Sequence, residues 1–463
     1  MKKKGAAWGA LAIVVVAASV YFIRQIDDGG VGVETGVRDT PAKVNVPAPD
    51  APHKTSAEGR AEEPLPVAML DRALDRQVIE AKELEPISST QIPKENAIHY
   101  FLEATELLTE SDYLRLGDVL SQIDKEGLQD RRQVRELLNR FQVALEAIRK
   151  GVETGHAQLP PQRGPDEPFP HLAKYRMLGR LMCVQAALQA ESGDTGGALD
   201  TAATVVAFGC ESSRGGSSLD YLFGCSLQQE GVRTLCDLLQ SANTTPEMCQ
   251  DVLARLQYMW QDPPSATAAA KGNAEASATF MKSNRMSPDE FARPFREFFG
   301  KDTERLESMT DNQRLTMYEE AIAAARETAS TFDTPYYQFK EPDYQSLFET
   351  NPLSRLIMYN FDRLPKAAAR LNASRGGVAL VAALEKHRRE HGEYPPALDT
   401  LADQFQEGMP VDPFSGGQFL YRREGGSYRL YTAGFDGKDN GGAGNAWDRE
   451  AEDFVIHALE NGR

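Results

Sequence analysis

The chain has 463 residues, a formal net charge of −17 and a hydrophobic content of 41%. At roughly 150 residues per domain this length has room for about three folded units, and the ordinary apolar content excludes a wholly disordered chain. The acidic balance argues against a nucleic-acid partner, since such proteins normally present a basic face. Five cysteines in a chain of this length do not make a small disulfide scaffold.

An uncharged, largely apolar run opens the sequence. Residues 5–23 carry no charge, lysines occupy positions 2–4, and Asp27 and Asp28 follow. A helix needs about 20 apolar residues to cross the hydrocarbon core, and flanking lysines favour the cytoplasmic side. The pattern predicts a single-pass signal-anchor helix over residues 1–26 in the inner membrane of the cell, with the N-terminus cytoplasmic and the bulk of the chain extracytoplasmic. A cleaved signal peptide ending in the small residues 16–18 is the alternative.

Residues 27–93 have the composition of a flexible tether. The segment is rich in proline and carries charges of both signs, so it buries too little apolar surface to offset the entropy of ordering. A short helix is plausible over residues 67–84. Such a tether would hold the folded part away from the bilayer.

Residues 94–375 are predicted to form an α-helical domain. Apolar residues recur at helical spacing over residues 100–108, 134–148, 172–188, 198–208, 220–240, 246–260, 311–329 and 351–370. Residues 262–282 are rich in Ala and Ser, and either a loop or a weak helix fits them. The helix, Gly-Asp turn and second helix around residue 193 weakly resemble one tetratricopeptide-like hairpin. Both an irregular helical domain and a repeat solenoid remain possible at this point.

All five cysteines lie in this helical domain, and none forms a Cys-x-x-Cys pair. Zinc or thioredoxin-type chemistry therefore has little support. Outside the cytoplasm one or two disulfides could form. The alternative is that the thiols are small buried hydrophobic groups on helices.

Known catalytic motifs are missing or unconvincing. The sequence has neither a Gly-x-x-x-x-Gly-Lys loop nor a Gly-x-Gly-x-x-Gly turn, and His387 to His391 match the His-x-x-Glu-His pattern of some zinc proteases. Basic residues surround that pair and Gly392 follows at once, which is typical of a solvated helix end. We therefore assign no catalytic residue and predict a protein that is not an enzyme.

Residues 376–463 form the most specific part of the sequence. A helix ending at His391 is followed by a Pro-rich loop. Period-two alternation over residues 419–423 and 428–432 around Glu424-Gly425-Gly426-Ser427 predicts a β-hairpin with a four-residue Gly-rich turn. A Gly-rich acidic loop then runs from Gly434 towards residue 453.

This order of elements resembles the globular domain of the major pseudopilin of type II secretion. The resemblance rests on the His391-Gly-Glu-Tyr-Pro395 helix end, the Asp412-Pro-Phe loop, the Tyr428-Arg-Leu-Tyr strand, the Gly434-x-Asp-Gly turn and the Asp453-Phe-Val ending. It implies a final loop ordered by a structural calcium ion, with Asp436 and Asp453 among the ligands.

The chemistry of the loop points the same way. Asp439, Asn440 and Asp448 lie between Asp436 and Asp453, and calcium takes six to eight oxygen ligands of this kind in flexible geometry. The predicted metal ligands are these five residues. An ordinary solvated acidic turn is the alternative.

These features predict a mainly α protein with an N-terminal transmembrane helix, an irregular or repeat-like α-helical domain and a small α+β C-terminal module. Its predicted function is that of a membrane-anchored, non-enzymatic envelope protein. It would bind the bilayer through its N-terminal helix, and protein partners through its folded part, near type II secretion or pilus-like machinery. Two alternatives stay open, an atypical pseudopilin subunit and an envelope hydrolase with an unrecognised site. Against a pseudopilin, Ala10 stands five residues beyond Gly5, where the family carries Glu.

Overall fold

The computed structural model describes residues 86–162, 169–284, 308–444, 446–448 and 452–458. In these ranges the protein is mainly helical and carries one small three-stranded sheet, so the prediction of a mainly α protein with a small β component is confirmed. The predicted anchor and the possible helix at 67–84 lie outside the described residues, as does the tether up to residue 85. Over the described ranges, no helix has the length and apolar character needed to cross a bilayer.

Four α-helices open the described chain and bury the first of three hydrophobic clusters against the helix at Pro170–Glu191. Their bounds are α1 Ala97–Glu106, α2 Glu110–Glu126, α3 Arg131–Arg140 and α4 Gln142–Glu153. Thr109 caps α2 by accepting the backbone N–H of Asp112, whose carboxylate in turn accepts the N–H of Thr109. The apolar pattern over residues 134–148 predicts one helix, but the chain kinks at Phe141, where φ is −97° and ψ is 10°.

Four more helices follow and contribute to the central core. They are α5 Pro170–Glu191, α6 Thr195–Ser212, α7 Ser218–Leu239 and α8 Pro246–Met259. Each side chain of Asp194, Ser217 and Thr245 accepts a backbone N–H at the start of its helix, which satisfies a donor that the helix leaves open. The nearly continuous apolar character of α6 fits its position, because neighbours cover it on several sides.

A third group of helices packs on the outer side of α7. These are α9 Ala266–Asn284, α10 Asp311–Ala329, α11 Tyr344–Thr350 and α12 Ser354–Ile357. The Ala-rich stretch at 262–282 is therefore helical over most of its length. The single helix predicted at 351–370 is wrong in detail, because the chain turns at Asn360, whose φ is +69°, and a new helix starts at residue 363.

That new helix, α13 Arg363–His391, carries the sheet on its C-terminal half. The strands are β1 Leu420–Glu424, β2 Ser427–Thr432 and β3 Phe454–His457, in the order β1-β2-β3 and antiparallel throughout. The predicted hairpin is confirmed, but the predicted four-residue turn is wrong: Glu424 pairs with Ser427 within the strands, so the turn holds only Gly425 and Gly426. Gly392, with φ +82°, ends α13 in the left-handed conformation that a glycine adopts without strain.

The sheet and the helical body share one hydrophobic core. Residues of α6, α7, α8 and α13 form a single buried cluster with Tyr428, Leu430 and Ile456 from the strands. A Cβ on Gly377 of α13 would lie 2.7 Å from the side chain of Ile456, which shows how closely β3 approaches the helix. The domain boundary predicted at residue 376 falls inside α13, and hydrophobic packing is continuous across it.

Candidate functional site

The candidate cation-binding loop leaves the end of β2 and returns to the start of β3. Gly434 opens it with φ +63°, and a Cβ there would lie 1.9 Å from the carbonyl oxygen of Glu452. Only glycine fits this conformation and this approach. The missing side chain lets the two ends of the loop approach closely, so that Asp436 and Asp453 lie at the same end of the sheet.

Asp453 is the buried centre of the loop, with 1% of its surface exposed. Its carboxylate accepts the backbone N–H of Asn440 at 3.1 Å and that of Gly442 at 2.6 Å. These bonds draw the middle of the loop onto the start of β3. A buried carboxylate needs such partners, because an unpaired buried charge is very unfavourable.

Asp436 lies at the exposed rim of the same loop. Its carboxylate accepts the backbone N–H of Lys438 at 3.0 Å and the side-chain amide of Asn440 at 3.2 Å. The hydrogen bond from Lys438, then that from Asn440, lowers the pKa of Asp436. Asn440 therefore bonds to Asp453 through its backbone and to Asp436 through its side chain.

Asp439 is connected to the sheet through Tyr431. The Tyr431 hydroxyl donates to Asp439 at 3.0 Å, and the backbone N–H of Gly441 donates to the same oxygen at 2.8 Å. Burial, followed by this bond, raises the pKa of Tyr431 to about 12, so the phenol remains a donor at neutral pH. Asp448 is exposed on the adjoining segment 446–448.

The structure thus connects Asp436, Asp439, Asn440 and Asp453 through one loop, which supplies the oxygen-rich donor set that calcium prefers. Their carboxylates bond mainly to N–H groups of the loop, and among the described residues no three His, Cys, Asp or Glu side chains converge as metal ligands. Asn440 presents its NH₂ group to Asp436. A calcium ion would need the Asn440 amide turned, so that its oxygen faces the ion, and the carboxylates drawn together around it.

Asp412, in the Asp-Pro-Phe motif, has a structural position. It is fully buried, and its carboxylate accepts the N–H of Phe414 at 2.8 Å, the hydroxyl of Ser415 at 2.7 Å and the N–H of Ala433 at 3.1 Å. These bonds fasten the loop before β1 to the end of β2, immediately before Gly434.

The helical body contains a buried Ser, Asp and His in contact. Nε2 of His171 lies 3.4 Å from Asp220, and the hydroxyl of Ser217 donates to the other oxygen of Asp220 at 2.7 Å. A hydrolytic triad needs the serine hydroxyl bonded to the imidazole. Here the serine is the N-cap of α7 and bonds to the carboxylate instead, and each of the three side chains is about 4% exposed.

The His387 and His391 rings stack 4.1 Å apart at the end of α13. Nδ1 of His391 bonds to the carbonyl of His387 at 3.0 Å. Burial and the neighbouring His391 lower the pKa of His387. Parallel rings do not direct two nitrogens at one ion, which agrees with the interpretation of this segment as a helix end.

The five cysteines are all buried and all free thiols. They are Cys183, Cys210, Cys225, Cys236 and Cys249. Burial raises their pKa values, to about 11 for Cys210 and to about 12 for Cys183. The five thiols are therefore small buried groups on helices. None of them takes part in the disulfides that the sequence left open.

Sequence reasoning missed two buried polar groups on α13. Glu385 is fully buried and accepts bonds from Arg388, Arg389 and Tyr394. Arg375 is buried a few turns earlier, next to Gln228. The signal for both was their position, because they directly flank the uncharged run of residues 376–384 in the middle of an apolar helix.

Comparison of the chain with protein-family models, with curated proteins and with solved structures found no match.

Proposed function

We propose that this protein is a membrane-anchored, non-enzymatic scaffold of the cell envelope. It would be anchored in the inner membrane through residues 1–26 and bind protein partners outside the cytoplasm. A place beside type II secretion or pilus-like machinery follows from the resemblance of residues 376–463 to a pseudopilin. The sequences of residues 1–26 and 376–463 support this role, together with one structural observation.

That observation is the shared core of the sheet and the helical body. α13 contributes to both, and Tyr428 and Ile456 of the strands pack in the same cluster as α6, α7 and α8. A unit packed in this way presents its surfaces in a fixed relation to one another. Fixed geometry suits a component that holds partners at a membrane and has no need of a moving lid.

The loop after β2 supports a structural role for calcium within this scaffold. Asp436, Asp439, Asn440 and Asp453 would be its ligands, with Asp448 completing the set if the adjoining segment closes over the ion. The bonds from Asn440 to Asp436 and Asp453 keep these groups on one loop. The ion would add a second connection between the ends of the loop, which Gly434 already holds close.

Photocrosslinking in membranes tests the scaffold role. A photoreactive residue replaces Val411 on the module, which is 55% exposed, or Tyr258 on the helical body, which is 77% exposed. Leu114, 59% exposed on α2, gives a matched control. We expect adducts with an envelope protein of the secretion machinery from the first or second position and none from Leu114. The absence of adducts from every position would contradict the proposal.

The N-terminus of the membrane-extracted protein distinguishes the alternatives. An intact N-terminus agrees with the signal anchor. Cleavage after Gly5 or Gly9 would instead favour a pseudopilin subunit.

Calcium is tested on the full chain by thermal melting in 10 mM calcium or magnesium, and with a chelator. Extracellular sites of this kind bind calcium at roughly 10⁻⁴–10⁻³ M, so 10 mM calcium should stabilise the fold by about 1.4–2.7 kcal/mol. Asp436→Ala should remove this gain, because it removes one of the proposed ligands. The variant should still fold, since Asp436 is exposed. Glu407→Ala, an exposed acid of the same module outside the loop, should retain it. Equal melting of wild type with calcium and with chelator would exclude the site.

A further inference from the structure

Arg375 is a buried cation in the centre of the protein. It lies on α13 between the buried residues Leu371 and Val378, and 9% of its surface is exposed. Burial lowers the pKa of its guanidinium, yet an arginine in a protein remains charged. Charged side chains buried to this extent are almost always paired with an opposite charge.

In the part of the chain that the structure describes, no carboxylate forms an ion pair with Arg375. Its Nη2 donates to the amide oxygen of Gln228 at 2.8 Å, and its guanidinium carbon lies 5.4 Å from the ring centroid of Trp260. A second guanidinium, Arg214, adds positive charge nearby. Arg214 forms ion pairs with Glu211 at 3.0 Å and with Asp262 at 3.1 Å. Neither of these two carboxylates forms an ion pair with Arg375.

The thiols and the phenol around Arg375 do not supply the missing charge. Cys210, Cys225 and Tyr221 lie close enough that a negative charge on any of them would raise the pKa of Arg375. Burial raises the pKa of Cys210 to about 11 and that of Cys225 to about 12, and it raises the pKa of Tyr221 well above its ordinary value. All three are therefore neutral at physiological pH.

The same place holds three hydrogen-bond donors without acceptors among the described residues. They are Nε of Arg375, Nε2 of Gln228 and Nε1 of Trp260. Leaving a buried donor unsatisfied is costly, and here the three lie on Arg375 and on two side chains next to it. A water molecule could accept from them, but it would leave the positive charge uncompensated.

We infer that Arg375, Gln228 and Trp260 form a binding site for one small oxyanion, a carboxylate or a phosphate. The Nε–H of the guanidinium is left to donate to an oxygen of such a group. Gln228 and Trp260 supply neutral donors beside it. Since Gln228 is fully buried and Arg375 nearly so, the ligand of this site would be a small ion or the end of a narrow molecule. This site is independent of the acidic loop and of any membrane location.

Arg375→Met and a matched variant test the site on the full chain. Methionine keeps the length of the side chain without its charge. Arg132→Met removes the same charge from an exposed position, where the side chain is 90% accessible. Each purified protein is denatured in acid and the released anions are measured by ion chromatography. It is also dialysed and titrated calorimetrically with phosphate, acetate or chloride at constant ionic strength.

We expect wild type and Arg132→Met to release one equivalent of an oxyanion, or to bind phosphate or acetate saturably after dialysis. Arg375→Met should do neither. Trp260→Phe, which keeps the aromatic face and loses only the indole N–H, should bind about 10-fold more weakly. It remains informative if Arg375→Met does not fold.

Three results would overturn the inference. The first is binding or release of an anion by Arg375→Met equal to that of wild type. The second is chloride binding as strong as phosphate and acetate binding, which would remove the oxyanion class. The third is a wild-type protein that neither releases nor binds either oxyanion.

Discussion

Replacing Glu385 by Gln should weaken the connection between the helical body and the module. The Glu385 side chain is fully buried and accepts Nη2 of Arg388 at 2.9 Å and the hydroxyl of Tyr394 at 2.7 Å, in addition to its pair with Arg389. Arg389 also donates to the carbonyls of Leu239 and Ser241 at the end of α7, at 2.8 and 2.7 Å. Glu385 thus joins α13, the loop after it and α7.

Loss of one partner of a buried ion pair costs about 3–5 kcal/mol, because the other charge is left uncompensated. Arg389 is 10% exposed and bears most of that cost, whereas Arg388 is 33% exposed and can turn to solvent. Glutamine keeps an oxygen for Tyr394. We therefore expect the free energy of unfolding to fall by about 3 kcal/mol in Glu385→Gln.

Urea unfolding of the full chain, followed by far-ultraviolet circular dichroism, measures this change. The control is Glu136→Gln, which breaks an exposed pair with Arg132 and should cost under about 0.5 kcal/mol. A double-mutant cycle with Arg389→Met should give a coupling energy of about 1–3 kcal/mol between the two residues. A loss in Glu385→Gln no larger than that of the control would refute the reasoning.

Two further predictions concern pH and thiols. Burial lowers the pKa of His457 to about 4 from an ordinary 6.5. The unfolded chain therefore binds the proton more tightly, and the free energy of unfolding should fall by at most about 3 kcal/mol as the pH drops from about 6.5 to about 4. His457→Gln should flatten that part of the profile of stability against pH; an unchanged profile would contradict this. Ellman's reagent should label no cysteine of the native protein within minutes and all five after denaturation, since all are buried. Fast labelling without denaturant would place at least one thiol at the surface.

The sequence predicted elements wherever a local pattern was strong. The hairpin followed from alternation around Gly425 and Gly426, and the end of α13 from Gly392. The kink at Phe141 was missed because no glycine or proline marks it, and the apolar spacing continues across it. β3 was missed as a strand because it has only four residues. Its pairing partner β2 lies a long loop away in the sequence, and no local pattern indicates that pairing.

The candidate site was predictable as a set of residues and unpredictable as a geometry. Asp436, Asn440 and Asp453 are visible as an acidic, Gly-rich loop. Nothing in the sequence says that Asp453 would be buried and bonded to backbone N–H groups. The burial of Arg375 was not predicted for a different reason. A single charged residue in an apolar helix can be recognised as buried only when the residues that cover it from other helices are known.

The continuity of packing through α13 has a consequence for how the chain reaches its folded state. Ile456 of β3 completes a cluster whose other members begin at Ala186 on α5, some 270 residues earlier by the numbering. The part of the core that α13 shares with the sheet is therefore completed only when residue 456 is in place. A chain stopped between α13 and β3 would leave the apolar face of α13 around Gly377 without its cover from Ile456. The last strand thus links the end of the chain to the packing of helices that begin far earlier in the sequence.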